Sequence, residues 1–372
     1  MNIIDLSYYH SVNIQDPDLL LQQHRPNIEY VKYLPYGCHT SIIKFMNSEG
    51  SQEMNGVSYY YFHGHSSKYW IPYSKHNFIK QLKPTVIILH GLVYPLQTIL
   101  LRWQLGKDVK IIVQHHAEIP TGGKRGFLQK MADQCIDAYL FTTKELALPW
   151  VEKGVIKCLN KVIEMVEGST HFARINKEKA KSISGISGDE NFLWVGRLDH
   201  NKNPILVVKA FLKYAQSNPS ARLYMIYQQN DLEKELLSIL EKEDPKRQSV
   251  VLVGKKAHEE LVYWYSSADF YISGSYKEGS GYALIEAMAC GCIPIVTSIP
   301  SFRKITSNGK LGFLYETGNI DSLYQSLCAT NSICKTQLTA AIQLHFQENL
   351  SFQHIADTIY ATSKSLIERK GP

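Results

Sequence analysis

The sequence predicts an α/β protein built from two doubly wound domains, each with a parallel sheet, facing one another across a cleft. Three observations carry that prediction. The chain has 372 residues, more than one ordinary core accommodates and enough for two domains of about 150–200 residues. Short apolar, β-rich runs alternate with helical stretches along nearly its whole length. Those runs are continuously hydrophobic rather than alternating, the mark of strands buried on both faces and covered by helices. An apolar share of 44% and a charged share of 20% fit a folded globular protein and exclude a disordered one.

The expected strands of the first half are residues 3–7, 57–62, 86–90, 110–114, 138–141 and 161–166. Those of the second half are 192–195, 222–227, 249–253, 270–273, 293–296 and 312–315. Between the two series, the stretch from Ala180 to Glu190 is polar, rich in Ser and Gly, and without apolar periodicity, as a linker is. The expected organisation is a first domain over 1–180, a linker over 181–190, a second domain over 191–350 and a closing segment over 351–372. Phe352, Ile355, Ile359 and Ile367 stand at helical spacing, so residues 351–370 read as an amphipathic helix that packs back towards the first domain.

Composition narrows the function. Seven cysteines in a long chain do not form a disulfide framework. Cys290 and Cys292 flank Gly291 in an apolar segment without a second ligand pair nearby, so they read as core residues, and His63 and His65 as surface or packing residues; no metal site is expected. The apolar run 86–103 is interrupted by His90, Gly91, Pro95 and Gln97 and reads as strand, loop and helix, not as a membrane span. The start of the chain lacks a basic region followed by a long apolar stretch, so a cytoplasmic location is expected. The net charge of +6 is uneven: residues 68–130 carry ten Lys and Arg against Asp108 and Glu118, a balance of +8. That stretch reads either as a solvated face or as a basic surface for anionic lipid headgroups or a phosphate-bearing acceptor, the second reading bringing peripheral membrane contact through the first domain. No zinc finger, aromatic-basic RNA signature or basic helix points to nucleic acid.

Ligands of open parallel sheets sit at the carboxyl ends of strands, so polar residues directly after strands carry weight. The strongest such group is Glu278-Gly-Ser-Gly-Tyr-Ala-Leu-Ile-Glu286-Ala-Met-Ala-Cys-Gly291. The strand 270–273 ends in a loop, 274–281, that opens a helix over 282–290. Gly279 and Gly281, either side of Ser280, let the backbone approach a ligand, and the helix start at Tyr282 and Ala283 offers amides and positive dipole to an anion. Glu286, one turn in, suits a vicinal diol such as a ribose; Glu278 stands where a donor sugar meets the helix end. The second group is Phe192-Leu-Trp-Val-Gly196-Arg197-Leu-Asp-His-Asn-Lys202. Two cations after one strand suit a diphosphate, Arg197 as a flat fork and Lys202 as a point charge. The dinucleotide fingerprint G-x-G-x-x-G is absent from the chain.

These two groups together resemble the C-terminal domain of the retaining glycosyltransferases of family 4, or group 1, which have the GT-B fold of two Rossmann-like domains. The family's paired glutamates, with seven residues between them, match Glu278 and Glu286; its G-R-L segment with a downstream Lys matches Gly196, Arg197, Leu198 and Lys202. Val253-Gly254, Ala268-Asp269, Pro294-Ile-Val-Thr297 and Gly309-Lys-Leu-Gly312 also fit its spacing. The match is good over residues 191–319 and weaker before them, where the strand 110–114 followed by His115-His116 resembles the family's catalytic-cleft histidine.

The resemblance implies transfer of a sugar from a nucleoside-diphosphate sugar to a hydroxyl acceptor with retention, without metal or other cofactor. It implies that Glu278 contacts the donor sugar, that Glu286 holds the ribose, and that Arg197 and Lys202 neutralise the diphosphate. Gly196, Gly254, Gly279, Ser280, Gly281, Tyr282 and Ala283 complete the donor site, and His115 or His116 bonds to the sugar. A nucleotide-sugar 2-epimerase and a catalytically silent nucleotide-sugar-binding protein are the competing readings on the same architecture. The glycine-rich loop usual after the first strand is missing, Pro35-Tyr-Gly-Cys-His39 being the candidate substitute; Asn203-Pro204 and Ser280 also depart from the family pattern.

Overall fold

The structure, a computed structural model, describes residues 1–65, 67–228 and 231–369. The chain forms two compact units, one of Met1–Gly168 with the segment from Phe352 onward, the other of Ser169–Ser351.

The first unit is built on strands β1 Asn2–Ser11, β2 His39–Met46, β3 Gly50–Met54, β4 Val57–His63, β5 Val86–His90, β6 Lys110–Gln114, β7 Ala138–Phe141 and β8 Val162–Glu164. They lie in the order β3-β4-β2-β1-β5-β6-β7-β8. Pairing is parallel throughout except at the edge, where β3 runs antiparallel to β4. Asn55 and Gly56, both at positive φ, make the tight turn of that hairpin, the conformation for which Asn-Gly is preferred. Ile87, Leu89, Ile111 and Val113 are buried, which is why their strands read as unbroken apolar runs.

Two strands, β2 and β3, are absent from the sequence-based expectation. Lys44 interrupts the apolar pattern of β2 yet is itself buried, and β3 is largely exposed. A second correction concerns residues 35–39. Cys38 N donates to Pro35 O at 3.1 Å in a turn that leads into β2 at His39. This turn therefore lies at the amino end of its strand, the end of a parallel sheet where ligands do not bind.

The second unit holds β9 Glu190–Gly196, β10 Ala221–Tyr227, β11 Val250–Gly254, β12 Phe270–Ser273, β13 Ile293–Thr297 and β14 Phe313–Tyr315. They form a sheet in the order β11-β10-β9-β12-β13-β14, parallel at each pairing. Phe192 at its centre stacks on Phe270 (4.8 Å between centroids) and meets Phe211 edge-on at 5.1 Å, geometries aromatic pairs favour. In each sheet the chain builds outward in one direction, then returns to build in the other. The reversal falls between β1 and β5 in the first unit and between β9 and β12 in the second, and at such switch points α/β sheets open a crevice for ligands.

The linker over 181–190 and the domain boundaries tied to it are corrected. A helix spans Lys177–Ser184, capped by Asn176, whose side chain accepts from Lys179 N, and ended by Gly185 at φ +74°. Ala180 and Ile186 are buried, and Ser184 Oγ lies 2.9 Å from Ser267 Oγ. The polar composition is that of a solvent face with cap residues, and the stretch belongs to the second unit. The chain crosses between units near residue 168 and again near residue 351. The final helix, Phe352–Glu368, stacks Phe352 on Tyr33 of the first unit at 5.9 Å; Lys370, the expected end of that helix, lies outside the described residues. No helix among the described residues is long and apolar enough to cross a membrane.

Candidate functional site

In the second unit the loops leaving β9 and β12 meet at the sheet's switch point. Asn201 joins them: its Nδ2 donates to Lys277 O at 3.0 Å, its Oδ1 accepts from Lys277 N at 3.1 Å, and its carbonyl accepts from Tyr276 N at 2.9 Å. Asn203, at φ +45°, adds a bond from Nδ2 to the Tyr276 hydroxyl at 3.1 Å. Asp199 shapes the first loop by accepting from Lys202 N at 2.9 Å. Gly274 sits so close beneath that a Cβ there would lie 3.0 Å from Asn203 O.

This stapling brings the predicted charges together. Lys202 Nζ forms an ion pair with Glu278 Oε1, both side chains being mostly buried. Arg197 Nε lies 3.1 Å from Asp199 Oδ2, with 54% of its side chain exposed. Behind Glu278 the backbone enters the helix Tyr282–Ala289 through Gly281, whose φ of +73° is left-handed and favours glycine. A Cβ at Gly281 would come 2.5 Å from Phe302. Gly279 and Ser280 are buried, while Tyr282 and Ala283 are half-buried at the helix start. Gly196 closes β9, and a Cβ there would stand 3.6 Å from Lys202 Cγ.

Glu286 is 7% exposed. Oε1 lies 2.7 Å from His258 Nε2, and Oε2 accepts from the Tyr265 hydroxyl at 3.0 Å. Burial, with the Glu286 charge beside it, pushes the Tyr265 phenol well above its ordinary range, so it stays a donor. Phe172 stacks on His258 at 4.9 Å. Gly254, at φ +76°, turns the chain out of β11 towards His258. Asn201, His258, Tyr265 and Phe172 escaped the sequence reading. Asn201 sits inside a segment that was singled out, but the other three are far from it in sequence.

In the first unit the two histidines after β6 separate. His115 is 4% exposed and stacks on Phe141 at 4.2 Å. Its Nε2 lies 2.9 Å from Glu118 O, and its Nδ1 accepts from Ala117 N at 3.3 Å. Both ring nitrogens are thus committed inside the unit. His116 keeps 19% of its side chain exposed; its Nε2 lies 2.8 Å from His90 Nδ1 and its Nδ1 lies 3.3 Å from Glu167 Oε2. His90 continues inward to Asp5, which also meets Lys44 and Tyr30. The expected pair is therefore one core residue and one end of a buried polar chain. Among the described residues no three His, Cys, Asp or Glu are placed to hold a metal ion. Cys290 and Cys292 are buried free thiols, burial pushing Cys290 up to about 12.

Residues 176–328 match the family described as glycosyl transferases group 1. Among curated proteins, N-acetylgalactosamine-N,N'-diacetylbacillosaminyl-diphospho-undecaprenol 4-alpha-N-acetylgalactosaminyltransferase of Campylobacter jejuni is 33% identical over 150 residues, 40% of this chain and 39% of that protein. Alpha-monoglucosyldiacylglycerol synthase of Streptococcus pneumoniae is 30% identical over 161 residues, 42% of this chain and 35% of that protein. The chain thus spans well under half the length of the curated relatives it matches. Among solved structures, one described as trehalose-6-phosphate from E. coli bound with UDP-2-fluoro glucose superposes with a TM-score of 0.72 at 11% identity, covering 99% of each chain. That likeness assigns the GT-B architecture.

Proposed function

We propose that this chain, whose residues 176–328 form a glycosyl transferases group 1 domain, transfers a sugar from a nucleoside-diphosphate sugar to a hydroxyl acceptor with retention of anomeric configuration. The observation that carries the reading is the convergence of Arg197, Lys202, Glu278 and the start of the helix Tyr282–Ala289 on one switch point, with Glu286 one turn further in. Two cations and a helix N-terminus are what a diphosphate needs.

In this reading diphosphate oxygens compete with Glu278 for Lys202, and the released carboxylate accepts from hydroxyls of the donor sugar. Glu286 accepts from the ribose diol. As the bond from the anomeric carbon to the phosphate oxygen breaks, negative charge grows on the diphosphate. Arg197 and Lys202 then bind it more tightly than in the ground state, which lowers the barrier. The acceptor oxygen bonds to the anomeric carbon on the same face, its proton passing to the departing phosphate oxygen, so neither a protein base nor a metal is required.

The acceptor class we propose is lipid-linked, and the first unit is the part we propose for peripheral contact with the membrane. Two relatives bear diphospho-undecaprenol and diacylglycerol in their names. The first unit exposes Trp103 and Phe127 within the basic stretch 68–130, and a cavity of about 330 Å³ is lined by Phe127, Lys130 and Lys153 among others.

The test is thermal melting with UDP, GDP, ADP and their sugars in EDTA. A nucleotide at a hundred times its Kd stabilises by about 2.7 kcal/mol. A shift with one nucleotide, followed by release of that diphosphate on adding an acceptor extract in EDTA, is the expected result. Melting that no nucleotide alters would overturn the reading.

A further inference from the structure

The first unit contains a chain of five ionisable side chains that the transfer reaction, as drawn above, does not use. It begins with Asp5 of β1, fully buried, and Lys44 of β2, 4% exposed. Charges taken out of water cost several kcal/mol each unless paired, and apolar residues would stabilise a sheet centre at least as well. A buried charge cluster at a switch point is therefore a reason to look for a function.

Both carboxylate oxygens of Asp5 are engaged. Oδ1 accepts from Lys44 Nζ at 3.2 Å; Oδ2 accepts from the Tyr30 hydroxyl at 3.1 Å and meets His90 Nε2 at 2.9 Å. Burial acts to raise the Asp5 carboxyl, but the His90 and Lys44 partners outweigh it and hold the group ionised. An ionised carboxylate only accepts, so His90 carries its proton on Nε2. Burial and the neighbouring Lys44 lower His90 to about 4; the ring is neutral at pH 7, and its Nδ1 is an acceptor. His116 Nε2, 2.8 Å away, must then be a donor. The ring centroids are 5.0 Å apart and the planes inclined by 22°, the near-coplanar, edge-to-edge arrangement of an N–H···N bond.

At the outer end, His116 Nδ1 faces Glu167 Oε2 at 3.3 Å. With the ring proton on Nε2, Nδ1 is an acceptor beside a carboxyl oxygen, and a group that donates hydrogen bonds completes the pair. The backbone of His116 is held by Glu118 Oε2 at 2.7 Å, and the carbonyl of Glu167 by Gln114 Nε2 at 2.7 Å. A ring nitrogen and a carboxyl oxygen side by side are two acceptors, the pattern that takes hydrogen bonds from hydroxyls.

We propose that Asp5, Lys44 and His90 are positioning residues that lock the ring orientation and Nε2–H tautomer of His116, so that its Nδ1 edge, with Glu167, addresses a sugar hydroxyl. The ligand class rests on the transferase reading; the tautomer order does not. Asp5 and His90 never touch substrate. They act by leaving His116 a single way to place its protons, as outer-shell partners do for metal-bound histidines.

Histidine ring ¹⁵N spectra of the full chain at pH 7 test the order directly, His90→Gln and His116→Gln assigning the two rings among 14 histidines. The expected spectrum has His90 protonated at Nε2 and bare at Nδ1, and His116 protonated at Nε2. The opposite tautomer of His90 in the wild-type protein overturns the proposal, whether or not any variant folds. Gln at position 90 can still donate to Asp5 and accept from His116, whereas Leu can do neither. His90→Gln should therefore retain the His116 Nε2 proton signal and His90→Leu lose it; equal spectra in the two variants also overturn the proposal. In the transferase assay kcat should fall about tenfold to a hundredfold in His90→Leu and far less in His90→Gln, with donor KM little changed in both. An inactive wild-type protein with the expected tautomers would count against the transferase reading while leaving the positioning chain supported.

Discussion

His258 Nε2 stands 2.7 Å from Glu286 Oε1, in the position where a ribose hydroxyl would donate under the proposed function. The imidazole comes from the turn after β11 and is half-exposed, while Glu286 is buried, so His258 is the partner able to leave. Glu286→Ala should weaken nucleotide binding about tenfold to a hundredfold, the worth of one or two charge-assisted bonds. His258→Ala should leave it unchanged or slightly tighter. Calorimetric titration of the nucleotide found in the melting screen measures both. Equal weakening by the two substitutions would show instead that His258 itself holds the ligand.

Lys202→Ala and Arg197→Ala remove the charges proposed to stabilise the leaving diphosphate. Each should lower kcat by about ten- to a hundredfold, that is about 1.5–3 kcal/mol. Their effects on stability should differ. Lys202 leaves Glu278 unpaired in a mostly buried position, whereas Arg197 is 54% exposed and its pair with Asp199 contributes little. Initial rates of nucleotide release, with melting temperatures of the same preparations, separate the two effects.

Gly281→Ala places a Cβ at a left-handed φ and 2.5 Å from Phe302. The expected cost is about 1–3 kcal/mol, a fall in Tm of about 2–4 °C for each kcal/mol in a unit of this size. Gly185→Ala, also at positive φ but with open space around it, should cost less. Equal melting points for the two variants would refute the steric argument.

Burial lowers His76 and His90 to about 4 from an ordinary 6.5. The folded state therefore binds fewer protons than the unfolded chain between these values. Stability is fully present above pH 6.5 and falls as the pH drops from 6.5 towards 4. Asp5, held below the usual carboxylate range, adds a loss at lower pH still. Urea midpoints for the first unit's transition should decrease through this window, and a flat profile from pH 6.5 to 4 would contradict neutral buried histidines.

Much of the architecture was legible because parallel strands buried on both faces leave continuous apolar runs, as at Ile87-Ile88-Leu89 and Ile111-Ile112-Val113. Strand β2 was not, since the charge of Lys44 breaks its run and only a partner on β1 makes its burial tolerable. The stretch after Ala180 misled for the opposite reason: one buried face of a short helix is too narrow to show through its Ser and Lys residues.

The sequence by itself determined the two α/β series and the local order of charges and glycines after β9 and β12, because strand period, loop chemistry and helix starts are encoded by near neighbours. Only the tertiary structure decided which distant side chains meet. Lys202 finds Glu278 and His258 finds Glu286 because parallel strands align their carboxyl ends across large sequence separations. Likewise His115 and His116, just past the end of β6, part company, His115 packing on Phe141 and His116 meeting His90 and Glu167, because contacts from distant strands settle where each ring goes.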